Sequence, residues 1–374
     1  MKNPVLALLP TVAGVLAGTV TALVVTLALV QPQFEAVRKQ IDTLAQTTST
    51  LTIPTTPQVE IVPIEPRPLV PAYPPAFLER RISSVLTIVR RGRSDAQPIA
   101  EERELGSAVA ITSDGWLATS WAAVQGLRLS ELSVVWSGRV YPVRRAVRDT
   151  STDIVYLNIN ANGLPAAAFS RADDVESGAA VWFESRPGAL RADLIIDHSA
   201  MLMREALSSE RAGRRFLVTG LAGKNSGAAV WDGGGKLVGI VEEIDENGAS
   251  VIPAEGIGTA LGQLIGTGEI TRPLLGIRGI DLADIALDTT SSTLPALGAW
   301  VRSVPTAMPA YRNLAENDVI ERVERDILDG SADLGERLLE YRPGATITLY
   351  GRRNGQSFQA RVTLGSHNTA ETIK

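Results

Sequence analysis

The sequence predicts a mainly β protein that begins with a transmembrane helix, and two features of the chain carry this prediction. Residues 5–30 form an apolar stretch without a charge, and about 20 apolar residues are enough for a helix to cross a bilayer. From residue 80 to residue 253, short runs of β-branched and aromatic residues alternate with turn-forming residues. Strands this short and this regularly spaced are typical of a β-sandwich or a β-barrel.

The composition narrows the classes of function. The formal net charge of the 374-residue chain is −5, so it lacks the basic field that attracts nucleic acid, and we expect no nucleic-acid partner. The absence of cysteine excludes disulfides, thiolate metal sites and a cysteine nucleophile. Because the chain contains only two histidines, His198 and His367, we also expect no metal site and no cofactor.

We interpret residues 1–32 as an uncleaved membrane anchor. The uncharged stretch is 26 residues long, whereas a cleaved signal peptide, which is the alternative, usually has an apolar region of only about 7–15 residues. Lys2 precedes the stretch, and Arg38 and Lys39 follow it. The positive charges on the two sides therefore nearly balance and do not fix the orientation.

Residues 33–79 are predicted to form a helical neck followed by a proline-rich linker. Four apolar residues fall at the a and d positions of two heptads: Phe34, Val37, Ile41 and Leu44. Two heptads do not distinguish a solvated extension of the anchor helix from a short oligomerising neck. Eight prolines follow between residues 54 and 75, and such a segment is extended and semi-rigid because proline fixes φ and removes a hydrogen-bond donor.

The β-rich middle of the chain, residues 80–268, is predicted to form one domain. Seven strands are predicted at residues 85–89, 108–111, 132–136, 155–159, 180–183, 192–196 and 237–241. The glycine-containing segments 113–115 and 232–235 are predicted to be hairpin turns between such strands.

Three separated segments of this domain resemble the catalytic blocks of trypsin-like serine proteases. Residues 225–227 contain a candidate nucleophile, Ser226, and residues 151–154 contain a candidate aspartate, Asp153. Residues 117–124 stand where the histidine block belongs and carry Ala122 at the position of the base. These three blocks and segments 105–111, 235–240 and 268–277 follow one another as in the HtrA/Deg family of membrane-associated and periplasmic serine proteases, and the chain resembles that family. The resemblance covers residues 80–365 and implies two six-stranded β-barrels with an active-site cleft between them.

Two departures from that family lead us to expect a chain without protease activity. Ala122 supplies no base, and a serine hydroxyl is a weak nucleophile unless a base takes its proton. Lys224 stands two residues before Ser226, where the family has a glycine whose N–H contributes to the oxyanion hole, and that donor is worth roughly 10²–10³ in rate. Two replacement bases for Ser226 remain as alternatives, His198 and Lys224.

The resemblance also implies a PDZ domain at residues 269–367, followed by a short tail at residues 368–374. Such a domain binds the C-terminal carboxylate of a protein or peptide with the amides of one loop and pairs with its backbone as an added strand. A helix over residues 333–339 is expected to flank the groove, and the polar segment 281–294 is long enough to cover part of it. The candidate peptide-binding residues are Leu275, Gly276, Ile277, Arg278, Leu334 and Leu338.

The sequence thus predicts a membrane-anchored pseudoprotease that serves as a scaffold or regulatory subunit and binds protein or peptide C-termini. By resemblance, it is placed in a bacterial inner membrane with its soluble domains in the periplasm. A homotrimer and membership of a larger membrane complex are both possible assemblies. Two other functions stay open, a serine endopeptidase with an altered mechanism that uses Ser226, and a structural subunit of a membrane complex.

Overall fold

A computed structural model describes residues 38–39, 75–76, 83–92, 101–171, 174–201, 206–219, 226–245, 248–285 and 294–374. Residues 66–374 belong to one compact unit. The predicted anchor, residues 5–30, and nearly all of the predicted neck and linker lie outside the described residues. In the described ranges, no helix is both long and apolar enough to cross a membrane.

The first part of the compact unit is a closed barrel of six antiparallel strands. These strands are β1 (Val85–Arg90), β2 (Glu104–Ala110), β3 (Trp116–Ser120), β4 (Leu132–Trp136), β5 (Arg139–Asp149) and β6 (Ile154–Ile159). They are ordered β5-β4-β1-β2-β3-β6, and a further pairing of β6 with β5 closes the sheet. Buried apolar side chains such as Leu86, Leu117 and Leu157 fill the interior, because alternate residues of each strand point inward.

A second barrel follows along the chain. The next strands are β7 (Ala180–Glu184), β8 (Leu190–Met201), β9 (Leu207–Ser208), β10 (Arg214–Val218), β11 (Ala229–Trp231), β12 (Leu237–Asp245) and β13 (Gly248–Pro253). All of them except β9 close in the order β10-β13-β12-β11-β7-β8. The structure therefore confirms the predicted pair of six-stranded barrels, and each predicted strand of the middle region overlaps an observed one.

Among the described residues, two α-helices belong to this double barrel. The short helix α1 (Trp121–Val124) follows β3 directly, and α2 (Ile257–Thr267) leaves the second barrel. The buried face of α2 contributes Ile257, Ala260 and Leu264 to an apolar cluster that also contains side chains from both barrels. This cluster removes the facing surfaces of the two barrels and α2 from water, and it is separate from the clusters that fill each barrel.

The described part of the C-terminal module contains a further antiparallel sheet and one α-helix. Its elements are β14 (Thr271–Leu274), β15 (Arg278–Asp281), β16 (Ala299–Ser303), β17 (Val319–Val323), β18 (Asp326–Ile327), α3 (Leu334–Leu339), β19 (Thr346–Arg353), β20 (Gln356–Thr363) and β21 (Gly365–Asn368). The sheet has the order β20-β19-β17-β16-β15-β9, so its last strand comes from the middle of the barrel region. Strands β14 and β21 form a separate pair.

The segment 368–374 is not a tail, which corrects the prediction for these residues. Strand β22 (Ala370–Thr372) pairs antiparallel with the end of β5 and extends the sheet of the first barrel by one strand. Ile373 is buried within the core of that barrel, and its amide donates to the carbonyl of Ala146 at 3.0 Å. The apolar side chain at position 373 thus returns the C-terminal end of the chain to the first barrel.

A buried ion pair ties the C-terminal module to this barrel. Arg272 Nη2 donates to Asp149 Oδ2 at 2.6 Å, and the side chain of Asp149 is fully buried. Ser151 donates to the other carboxylate oxygen from both its hydroxyl and its amide. Burial by itself raises the pKa of Asp149, but the charge and hydrogen bond of Arg272, together with the hydroxyls of Thr369 and Ser151, hold that pKa below its usual range.

We predict that Arg272→Ala destabilises the protein by about 3–5 kcal/mol, because it leaves the carboxylate of Asp149 buried without its cation. Urea unfolding of the purified chain measures this loss. The exposed pair of Arg352 with Glu321 provides a matched control, and Arg352→Ala is expected to cost at most about 1 kcal/mol. Equal losses in the two variants would contradict a structural role for the buried pair.

Candidate functional site

The candidate nucleophile lies in a turn at the junction of the two barrels. The carbonyl of Ser226 accepts a hydrogen bond from the amide of Ser107 in β2 at 3.0 Å, and the amide of Gly227 donates to Val241 in β12 at 2.8 Å. Gly227 has a φ of 81°, and a Cβ there would overlap the carbonyl oxygen of Ser107. Glycine is therefore required beside the serine, and the turn is fixed by strands of both barrels.

Helix α1 approaches this turn at Gly106. A Cβ on Gly106 would overlap the carbonyl oxygen of Ser226 and would lie 3.2 Å from the Cβ of Ala123. Ala122, the neighbour of Ala123, is exposed on the helix. The serine turn and the helix that carries Ala122, the predicted position of the base, therefore both approach β2 at Gly106.

Asp153 joins the same junction through the backbone. Its carbonyl accepts a hydrogen bond from the amide of Trp121, the first residue of α1, at 2.9 Å. Asp153 has a φ of 65° and is only 3% exposed. The three positions predicted from the sequence, Ala122, Asp153 and Ser226, are therefore assembled around the start of α1.

The carboxylate of Asp153 is held by two arginines. Arg148 Nε donates to Oδ1 at 3.0 Å, and Arg211 Nη2 donates to Oδ2 at 2.5 Å. The guanidinium of Arg148 also lies 4.3 Å from the ring centre of Trp121, which is a cation–π contact. In a Ser-His-Asp triad the carboxylate orients the imidazole, whereas both oxygens of Asp153 bind guanidinium groups.

Neither arginine was among the site residues predicted from the sequence. A buried carboxylate needs a cation or several donors, and the alanine at position 122 removes the partner that a triad would supply. That requirement was visible in the sequence, and Arg148 lies only five residues before Asp153. Arg211 carries no such signal, because it is 58 residues away in the chain.

No contact between described residues places either alternative base, His198 or Lys224, beside Ser226. His198 is exposed on β8, where its ring Nδ1 lies 3.0 Å from Ser177 Oγ and its amide donates to the same hydroxyl. Lys224, the residue at the predicted oxyanion position, lies outside the described residues. Its role as a base or as a change to the oxyanion hole stays a prediction.

The candidate peptide-binding loop of the C-terminal module holds a carboxylate of the chain itself. Glu210 Oε1 accepts hydrogen bonds from the amides of Leu275 at 3.1 Å and Gly276 at 2.8 Å. The next amide, of Ile277, donates to Ser209 Oγ at 3.1 Å. Three successive amides therefore converge on two neighbouring side chains, in the manner of a backbone nest for an anion.

The backbone around Glu210 lies between β15 and α3. Strand β9 pairs antiparallel with β15, with Ser208 opposite Arg278 and Leu207 opposite Gly279. On the helix side, a Cβ on Gly335 would overlap the carbonyl oxygen of Arg211. Leu334 and Leu338, the two predicted groove residues on α3, are buried in the core of the module.

Segment 206–211 therefore covers the predicted groove, whereas residues 281–294 were expected to cover part of it. Residues 286–293 of that stretch lie outside the described residues. Arg278 contributes a further contact to segment 206–211, because its Nη2 donates to the carbonyl of Ala206 at 2.9 Å. The cavity that remains beside the segment has a volume of about 40 Å³, which is room for a few water molecules only.

A pair of carboxylates at the start of α3 lies beside segment 206–211. Asp333 caps the helix by accepting from the amide of Glu336, and its other oxygen accepts from the amide of Gly213 at 2.7 Å. Burial raises the pKa of Asp333. Burial, reinforced by the neighbouring charge of Asp333, raises the pKa of Glu336 to about 8.

The family comparison identifies the barrel region. Residues 106–240 match the model of a trypsin-like peptidase domain. The probable periplasmic serine endoprotease DegP-like of Halomonas elongata is 26% identical over 279 residues, which cover 71% of this chain and 57% of that protein. The periplasmic pH-dependent serine endoprotease DegQ of Escherichia coli is 29% identical over 291 residues, which cover 73% and 62%. The chain thus spans about three fifths of the length of these two relatives.

A third relative and the solved structures agree with this result. The serine endoprotease DegS of Salmonella typhimurium is 26% identical over 303 residues, which cover 77% of this chain and 84% of that protein. The structure of the HtrA-type protease AlgW with a tripeptide superimposes with a TM-score of 0.58 at 22% identity, covering 78% of this chain and 98% of that one. This likeness shows the fold, and together the comparisons support an HtrA/Deg-type trypsin-like domain.

The comparisons overturn the expectation that the chain is not an enzyme, because the relatives that match most of it are named serine endoproteases. The physical reason is that an alanine at the predicted position of the base would remove one component of a triad, whereas the serine turn and the two barrels are in place. Enzymes that lose a triad member keep roughly 10³–10⁴-fold of catalysis over water.

We predict that Gly106→Ala lowers the unfolding free energy by about 1–3 kcal/mol, because the new Cβ pushes into the carbonyl of Ser226 and disturbs the serine turn. Chemical denaturation measures the change. Gly262 in α2 has open space around its Cβ position, so Gly262→Ala is the matched control and is expected to stabilise by about 0.5–1 kcal/mol. A neutral Gly106→Ala would argue against the close approach of strand and turn.

We also predict that the unfolding free energy decreases as the pH rises from about 4.5 to about 8. In this range the folded chain binds more protons than the unfolded chain, because the pKa of Glu336 is raised from 4.5 to about 8 on folding. Glu336→Gln is expected to flatten this dependence, and urea unfolding at several pH values measures it. Glu316→Gln, at an exposed position, should keep the wild-type slope, and an unchanged slope in Glu336→Gln would refute the assignment.

Proposed function

We propose that this chain is a serine endopeptidase with an altered mechanism, in which Ser226 is the nucleophile and residue 122 plays no part as a base. The observation that carries the proposal is the turn at Ser226 and Gly227, which strands of both barrels hold at their junction. A turn of this kind presents a hydroxyl to a peptide carbonyl, and the related chains are named serine endoproteases.

The proposed reaction is acyl transfer to Ser226. The Oγ atom attacks the scissile carbonyl, the serine proton passes to a base other than residue 122, and water hydrolyses the acyl-enzyme. Without an imidazole in the triad position, the rate is expected to lie several orders of magnitude below that of a complete triad and still above the uncatalysed rate. We therefore propose slow cleavage of peptides and identify Lys224, two residues before Ser226, as the candidate base.

We further propose that the C-terminal module is a PDZ-like domain that binds protein or peptide C-termini. The predicted loop residues Leu275, Gly276 and Ile277 present three amides to oxygen acceptors, which is the chemistry that a terminal carboxylate requires. The antiparallel pairing of β15 with an added short strand supports the same proposal.

The proposed location is the bacterial inner membrane, with residues 5–30 as the anchor and the soluble domains in the periplasm. The uncharged length of that stretch supports the anchor. Two of the related proteins are named as periplasmic, which supports the placement of the barrels. Assembly as a homotrimer or within a membrane complex stays a proposal, to be tested by the mass of the detergent-extracted protein.

We predict that a fluorophosphonate probe labels the full-length protein in detergent and that Ser226→Ala abolishes the labelling. Ala122→His is expected to raise the labelling rate about 10²-fold, at the lower end of the gain from a general base, because arginines occupy the carboxylate that would orient the new imidazole. In-gel fluorescence over time gives the rates.

Lys224→Met separates the candidate base from the nucleophile. This variant is expected to label more slowly than the wild type, whereas Lys236→Met, at a lysine in the turn before β12, is expected to label at the wild-type rate. Labelling that persists in Ser226→Ala, or folded wild-type protein that does not react, would rule out the proposed reaction at Ser226.

A further inference from the structure

Segment 206–211 meets the C-terminal module in the way that a peptide ligand would. Its strand β9 adds to the edge strand β15, and the register places Ser208 opposite Arg278. The amide of Ser209 donates to the carbonyl of Ile277 at 3.0 Å. Strand addition of this kind satisfies backbone groups that the edge of the sheet leaves open.

The side chain of Glu210 supplies the same chemical group as the end of a polypeptide chain. One of its carboxylate oxygens accepts from the amides of Leu275 and Gly276. Hydrogen bonds from uncharged donors to a carboxylate are stronger than those between neutral groups. A chain end that bound there would place its own carboxylate on the same amides.

The helix side of the groove also contacts this segment. Gly335 in α3 has no room for a Cβ because the carbonyl oxygen of Arg211 lies against it. Asp333, at the start of α3, accepts from the amide of Gly213. The segment thus fills the space between β15 and α3, where only about 40 Å³ of cavity remains.

We propose that residues 207–210 are a built-in ligand of the C-terminal module, which occupies the groove and competes with peptides that end in a free carboxylate. This inference rests on the PDZ-like peptide binding under the proposed function. A peptide that pairs with β15 takes the hydrogen-bonding edge that β9 uses, and its carboxylate takes the amides that Glu210 uses. The two occupants exclude each other. The apparent affinity for a peptide is therefore its intrinsic affinity multiplied by the fraction of molecules in which the groove is free of residues 207–210.

Displacement of the segment also reaches the candidate active site. Arg211, the residue after Glu210, donates to Asp153 Oδ2. When residues 207–210 leave the groove, Arg211 loses its anchored position and Asp153 retains Arg148 as its cation. Occupancy of the groove and the charge around Asp153 are therefore linked through adjacent residues.

The first experiment tests whether the segment lies in the groove, without any peptide. The chain contains no cysteine, so Ser208→Cys with Arg278→Cys introduces a single pair at opposed positions of antiparallel strands. Such positions have Cα atoms about 4.5–5.5 Å apart, which suits a disulfide. We expect rapid disulfide formation under mild oxidation, and slower formation when Glu210→Ala is added.

A matched control pair is Ser208→Cys with Ser357→Cys, since Ser357 is exposed on β20 at the opposite edge of the sheet. This pair is expected to stay reduced. A disulfide that forms at the same rate in all three proteins, or that does not form in the first, would overturn the placement of the segment as a ligand.

The second experiment measures competition by fluorescence anisotropy with the full-length protein in detergent. The probe is a pool of labelled decapeptides that have randomised last three residues and a free carboxylate, and the same pool with amidated ends serves as its control. Glu210→Ala is expected to bind the free-acid pool about tenfold more tightly than the wild type. Glu316→Ala, which removes an exposed glutamate of the same module, is expected to bind like the wild type.

The outcomes distinguish a failure of the built-in-ligand proposal from a failure of the proposed peptide groove. Equal and measurable binding by the wild type and Glu210→Ala would overturn the built-in ligand and leave the peptide groove intact. No binding by either protein, or equal binding of the amidated pool, would overturn the carboxylate-binding groove of the proposed function. Neither result depends on Ser226, so the proposed peptidase reaction is tested separately.

Discussion

The arrangement of the site depends on the buried carboxylate of Asp153. A carboxylate that leaves water must find donors or cations, because burial of an unpaired charge is far more costly than the stability of a typical domain allows. In this chain the residue predicted at the position of the base is alanine, and two guanidinium groups hold the carboxylate. One of them, Arg211, belongs to segment 206–211, which lies between β15 and α3 in the predicted groove of the C-terminal module. The ion pair that neutralises the buried carboxylate of Asp153 thus helps to hold β9, which lies just before Arg211 in the chain.

Buried polar contacts also attach the C-terminal module to the barrels. Arg214 Nη2 donates to Asp281 Oδ2 at 2.7 Å, and the side chains of both residues are almost fully buried. Arg272 makes the corresponding pair with Asp149. Such pairs add little net stability compared with apolar contacts, but the loss of one partner is costly. The position of the module is therefore specified by matched charges as well as by its strand pairings with β9.

The sequence predicts the barrels well because their strands carry local signals. Alternating apolar residues and glycine turns define the strands, and the order of the three blocks around Ala122, Asp153 and Ser226 predicts the junction at which they meet. Strand β9 has no such signal. Its two residues are too few to show an alternation of apolar and polar side chains, and its partner β15 lies some 70 positions further along the chain. The pairing of segment 370–372 with β5 was missed for the same reason, because a three-residue strand is defined by the partner on which it docks.

A side-chain carboxylate differs from a chain end in one respect, and this difference lets segment 206–211 contact both the C-terminal module and Asp153. A peptide terminus stops at its carboxylate, whereas a glutamate binds the same amides and lets the backbone continue. Here the backbone continues from Glu210 to Arg211, which contacts Asp153, and then enters β10 of the second barrel. A true chain end in the groove would replace the carboxylate of Glu210 and would have no residue to offer in place of Arg211. In the proposed competition, the two ligands carry the same charge but differ in their consequences for Asp153, and through this difference peptide binding in the module would alter the barrel junction.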